Sequence, residues 1–127
     1  MDHRNFFDAM FAKVDARDAD QFADCFTDDG TFRFGNLPPV RGRSEIRDFI
    51  SGFFDSIGGI SHRFENCWSI GEEQAFCSGE VTYVRKDGSE LTVPWATVSR
   101  FEAGRLSEYL AYVDPSQLFV PAEAASV

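Results

Sequence analysis

DADQFADCFTDDGTFRFGNLPPVRGRSEIRDFI, residues 18–50, carries a capped helix, a strand, a loop and the start of a long helix in direct succession. Asp18 suits a helix N-cap, and Gln21, three residues on, completes the capping-box spacing. Phe22 and Phe26 then stand one turn apart on a single face of a helix over about residues 19–27. Asp28-Asp29-Gly30 reads as its stop, and Thr31–Phe34 is a β-prone run. Pro38-Pro39 and Gly42 break the chain, and Ser44 opens the next helix. There Ile46, Phe49, Ile50, Phe53, Phe54 and Ile57 fall at the i, i+3, i+4, i+7, i+8, i+11 spacing of one apolar helical stripe. Gly58-Gly59 ends it.

Working outward, Phe6, Phe7, Met10, Phe11 and Val14 predict a first helix over about residues 3–16. After Gly59 the period drops from 3.6 to 2. His62, Phe64, Asn66, Trp68 and Ile70 alternate with Ser61, Arg63, Glu65, Cys67 and Ser69, the pattern of a half-buried strand. Gly71–Gln74 turns into a second strand over about 75–85, and Asp87-Gly88 marks a hairpin into a third over about 90–101. Ala103-Gly104 turns into a last strand over 105–113. Helices first and a meander afterwards predict an α+β domain spanning 1–127, its three helices packed on one face of a curved antiparallel sheet. Phe7, Met10, Phe11, Phe22, Phe26, Phe49, Ile50 and Phe53 form the expected core.

Fourteen Phe residues in 127 predict a wide, aromatic-walled interior. A net charge of −9 disfavours nucleic acid and anionic membranes as partners, because phosphates need compensating cations. Three cysteines with no CxxC spacing argue against a disulfide framework and fit reduced thiols. No N-terminal apolar run suits a signal peptide or a membrane span, so the expected location is cytoplasmic. The later strands are apolar on both faces: Leu106, Leu110 and Tyr112 lie opposite Tyr109, Ala111 and Val113, and Leu91, Val93, Trp95 and Phe101 lie opposite Ala96 and Val98. A sheet wet on one side alternates polar and apolar. The two-sided pattern therefore predicts a homodimer through the outer sheet face.

The element order, with Asp18–Phe26, Gly42-Arg43-Ser44-Glu45-Ile46 and Arg100-Phe101-Glu102-Ala103-Gly104-Arg105-Leu106 through Tyr112-Val113-Asp114, resembles the nuclear transport factor 2-like superfamily, in its SnoaL-like and ketosteroid isomerase-like branch. The resemblance covers about residues 4–118. It implies a cone-shaped fold whose helices close over a strongly curved sheet and enclose a pocket for an apolar small molecule. It also implies a cofactor-independent isomerase, cyclase or dehydratase acting by proton transfer on an apolar carbonyl or hydroxy compound, or else a non-catalytic binding or dimerisation module. Fold alone does not choose between them. Carried across, the ketosteroid isomerase oxyanion-hole Tyr falls near Met10, its general-base Asp near Phe34 and its protonated Asp near Ala96. None of the three can exchange a proton, so that mechanism is excluded here.

His62 is the leading catalytic candidate, since imidazole titrates near neutrality and serves as general acid or base. A solvated edge histidine is the plainer reading. Glu80, flanked on its strand face by Ser78 and Thr82, offers a buried carboxylate if that face points inward, and the resemblance favours inward. Tyr109, on the expected inner face, can orient a ligand carbonyl or can simply be a core tyrosine. Asp114 resembles the acidic position that closes the SnoaL-like signature, and equally suits a cap before Pro115. Met10, Phe34, Phe53, Phe64, Asn66, Ala96 and Val98 are the expected pocket walls. No histidine, cysteine or carboxylate spacing suggests a metal, and no glycine-rich loop suggests a phosphate cofactor.

Overall fold

A computed structural model describes residues 2–119. Helix α1 spans His3–Asp15, α2 Ala19–Ala23 and α3 Arg43–Asp55; strands β1 to β6 span Phe26–Phe34, Val40–Arg41, Gly59–Ile70, Gln74–Val84, Glu90–Glu102 and Arg105–Val113. Asp2 and Asp18 cap the first two helices by accepting from the backbone N–H of Asn5 and Gln21, which satisfies amides that a helix start otherwise leaves open. Helix α3 begins one residue before Ser44, with Gly42 at its cap in a φ of +89° that a side chain resists. Among the described residues, no helix is long and apolar enough to cross a membrane.

The six strands form one sheet in the order β2-β1-β6-β5-β4-β3. Neighbours run antiparallel except β1 and β6, which are parallel, so the sheet is mixed rather than wholly antiparallel. The reason is connectivity. Strands β3 to β6 follow one another through tight turns and must alternate, whereas β1 reaches the far edge through α3 and is free to lie parallel to β6. Strand β1 also starts earlier than expected. Helix α2 stops at Ala23, and Asp28-Asp29-Gly30 lies within the strand rather than ending a helix. Asp28 and Asp29 bulge outward to pair with Arg43 and Arg41, and Gly30 lets the strand approach the Leu106 carbonyl, which an added Cβ would meet at 2.9 Å.

The helices cover one face of the curved sheet. Phe7, Met10, Phe11, Phe22, Phe26 and Ile50 are buried as expected, while Phe49 and Phe53 are half-buried because Phe54 takes the inward position on α3. Register shifts between Phe64 and Asn66 on β3, and between Leu106 and Glu108 on β6, each insert one unpaired residue. A bulge of this kind bends the strand and reverses which side chains face in. The curvature that shapes the fold and several departures from strict alternation therefore share one cause.

Candidate functional site

Asp15, the last residue of α1, and His62, early in β3, meet where the helix crosses the sheet. His62 Nδ1 lies 2.7 Å from Asp15 Oδ1, and the His62 backbone N–H donates to Oδ2 at 3.0 Å. The imidazole stacks on Phe11 at 4.7 Å between ring centroids and stands edge-on to Trp95 at 5.9 Å. The His62 side chain is 12% exposed. A carboxylate can only accept, so Nδ1 carries a proton, and in the neutral imidazole the lone pair is on Nε2. The second bond, from the backbone, removes the carboxylate's freedom to rotate away. Asp15 was not among the residues that sequence reasoning singled out. One signal was available: an acid in the last turn opposes the helix dipole, where cations are favoured.

Beside the dyad lies an apolar cavity of about 50 Å³. Met10, Phe34, Phe53 and Tyr109 line it as expected; Tyr83 and Phe32 are among the walls that were not anticipated. His62 is the one lining residue, among those described, that can carry charge near neutral pH. Burial pushes the Tyr83 and Tyr109 phenols far above their ordinary value, Tyr109 with a small opposing contribution from Thr97. Both hydroxyls therefore stay protonated and can donate to a ligand oxygen. On β5, Trp95 Nε1, Thr97 Oγ1 and Ser99 Oγ are buried and reach no hydrogen-bond partner among the described residues. Thr97 sits beside Tyr109 and Cys77, but neither contact attains hydrogen-bond geometry.

The other expected site residues lie elsewhere. The Ser78-Glu80-Thr82 face of β4 points outward, with Cys77, Val81 and Tyr83 inside, so Glu80 pairs with Arg63 at 3.6 Å on the outer surface. Ala96 and Val98 face outward too, because Trp95, Thr97 and Ser99 take the inner positions of β5. His62 and Phe64 share the inner face, but the bulge turns Asn66 and Trp68 out. Asn66 is exposed and bonds Ser78 Oγ, and Trp68 is 56% exposed. Phe64 packs edge-on against Phe7 and Phe11, beside the cavity rather than in its wall. Asp114 is exposed, its carboxyl held below the usual range by Ser116, whose N–H it accepts at 3.0 Å. It serves as a turn cap, not as a member of the pocket.

These features define a helix-covered curved sheet around an aromatic pocket with one histidine–carboxylate pair at its edge. A family model, the SnoaL-like domain, matches residues 6–109, and the chain belongs to that family. Among solved structures, it is similar to an NTF2-like protein of unknown function from Exiguobacterium sp. 255-15, at 22% identity over 87% of this chain and 98% of that one, with a TM-score of 0.73. A protein of ketosteroid isomerase-like fold from Catenulispora acidiphila, solved with trimethylamine, gives 17% identity, coverage of 84% and 82%, and a TM-score of 0.77. A putative isomerase from Bacillus subtilis gives 16%, coverage of 86% and 84%, and 0.74. At these identities the likeness is one of fold. A comparison with curated proteins gave no match.

Proposed function

We propose that this chain is a cofactor-independent lyase or isomerase, with His62 as general base, Asp15 as its positioning partner, and a compact, neutral carbonyl or hydroxy compound as substrate. The observation that carries this reading is the Asp15–His62 pair at an otherwise uncharged aromatic cavity. Nε2 takes a proton from the carbon beside the carbonyl, the C–H electron pair forms a C=C bond to the carbonyl carbon, and the C=O π pair moves onto the oxygen. A phenol of Tyr83 or Tyr109 donates to the oxygen as negative charge develops there, where low polarity makes such a bond worth more than in water. Returning the proton to another carbon completes an isomerisation. Delivering it to a departing hydroxyl completes a dehydration, with water as the second product. Asp15 stabilises the imidazolium in either case. Met10 and Phe34, near which the resemblance puts the ketosteroid isomerase donor and base, are apolar cavity walls, which supports His62 as the base.

The test uses cyclohexanone in D2O, with α-deuterium incorporation followed by NMR. The wild type is expected to accelerate exchange, and His62→Ala to lower it by about 10²–10⁴-fold with the fold intact. A folded His62→Ala variant with unchanged exchange would remove the dyad from the chemistry. A second reading, a non-catalytic binding module, draws on the cavity volume of about 50 Å³, far below the roughly 300–1,000 Å³ of typical ligand sites. It predicts thermal stabilisation by cyclohexanone with no exchange. We also propose a homodimer through the outer sheet face. There Trp68, Phe76, Val98 and Leu110 are register partners across four strands and form an apolar band.

A further inference from the structure

Two of the three cysteines meet although they share no sequence motif. Cys67 on β3 and Cys77 on β4 are direct register partners, with sulfurs 3.4 Å apart and the Cys77 thiol donating to Cys67 Sγ. The bulge at Glu65 brings them together. Without that extra residue Cys67 would face outward with Trp68's neighbours on the other side, and Cys77 would stand alone inside. Two buried cysteines in contact are often no more than small apolar fillers. Two observations point further. The pair is asymmetric: Cys67 is half-buried, Cys77 is 1% exposed. Cys67 is thus the more accessible residue of the pair. A fixed cation lies beside them, since Arg4 donates to the Phe64 and Glu65 carbonyls and sits 4.0 Å over the Phe64 ring. Burial, and then the contact with Cys67, push the Cys77 thiol up, with Arg4 opposing only last, so Cys77 stays the protonated member of the pair. Cys25, in contrast, bonds the Gln21 carbonyl one helical turn back.

We propose that Cys67 and Cys77 form a dithiol that a hydroperoxide oxidises to an intramolecular disulfide, a modification site separate from the Asp15–His62 pair. The Cys67 thiolate attacks a peroxide oxygen. An S–O bond forms, the O–O bond breaks and hydroxide leaves, so that sulfur is oxidised by two electrons and the peroxide reduced. The Cys77 sulfur then attacks Cys67 Sγ, the S–S bond forms, the S–O bond breaks, and the departing hydroxide leaves as water with the Cys77 proton. Two thiols and one hydrogen peroxide thus give one disulfide and two waters. The sulfurs need close only from 3.4 Å to about 2.05 Å, with no change of register. The bond ties β3 to β4 two residues beyond the bulge.

The experiment exposes the fully reduced full-length chain to a small excess of hydrogen peroxide, then counts thiols under denaturing conditions and measures mass. The expected result is a fall from three free thiols to one, a loss of two hydrogens, a single chain on non-reducing electrophoresis, and a linked 67–77 peptide pair. Cys25→Ser should fall from two thiols to none, and Cys67→Ser should keep both of its remaining thiols over the same exposure. Three thiols surviving in the wild type, an intermolecular bond, or oxygen added to Cys67 with Cys77 still free would each overturn the proposal. Should Cys67→Ser fail to fold, the Cys25→Ser count and the peptide map decide the question alone.

Discussion

A carboxylate in the last turn of a helix works against the helix dipole, so Asp15 needs a compensating partner, and the imidazole and backbone N–H of His62 provide it. The consequence lies on the histidine. In the neutral imidazole, holding the proton on Nδ1 leaves Nε2 as the acceptor, so the carboxylate sets the tautomer before any ligand arrives. Asp15→Asn tests this sharply, because the shape is kept while the amide N–H₂ can donate to Nδ1 and move the proton to Nε2. Exchange of cyclohexanone by the Asn variant should drop by roughly 10²–10⁴-fold, close to the loss in His62→Ala, with an unchanged circular dichroism spectrum. An Asn variant as active as the wild type would make Asp15 a structural cap only. His62 stood out in the sequence because the chain has only two histidines. Its partner did not, since the two are separated by 47 positions.

At the level of elements, one inserted residue explains the corrected assignments on β3. Up to Phe64 the inner side of β3 carries even-numbered residues, and beyond Glu65 it carries odd ones. Asn66 and Trp68 thereby leave the interior, and Cys67 enters it. Gly79 sits opposite the bulge as the partner of Phe64. A methyl added there would run into the Arg63 carbonyl oxygen and crowd the Trp95 ring at 3.0 Å. Gly79→Ala should therefore destabilise the fold by about 1–3 kcal/mol through overpacking, read as a lower urea midpoint at constant slope. A midpoint equal to the wild type would show that β3 and β4 separate freely at the bulge. Strands β4 and β5 have no such insertion between them, and their error had another source. The Ser78-Glu80-Thr82 face is the more polar one and belongs outside by simple alternation; the resemblance, not the pattern, argued for turning it in.

Across the whole molecule, the outer sheet surface is the largest feature that a lone chain leaves unexplained. Trp68, Ile70 and Tyr112 are each more than half exposed, beside the half-buried Phe76, Val98 and Leu110. Burying such a band favours association by about 25 cal/mol per Å² of apolar surface before the costs of docking. A C2 arrangement would apply the same band to itself. Sedimentation at micromolar concentration should give two chains per particle, and Leu110→Asp should give one without loss of helix or sheet signal. A wild-type monomer under those conditions would refute the dimer. Trp95, which contributes to the two-sided apolar pattern in the sequence, faces the interior and takes no part.

What the sequence determined by itself was the order of helices and meander, the capped start of α2, the apolar stripe of α3, the hairpin signals and the SnoaL-like resemblance. Each depends on residues within a turn or a strand of one another, where spacing and propensity carry the energy. Tertiary structure alone decided that β1 runs parallel to β6, that Asn66 and Trp68 turn out of the interior, that Asp15 holds His62, and that Cys67 meets Cys77. The physical reason is common to all four. A bulge adds a residue without altering composition, and a contact made across a fold leaves no mark on the local period of either strand or helix that makes it.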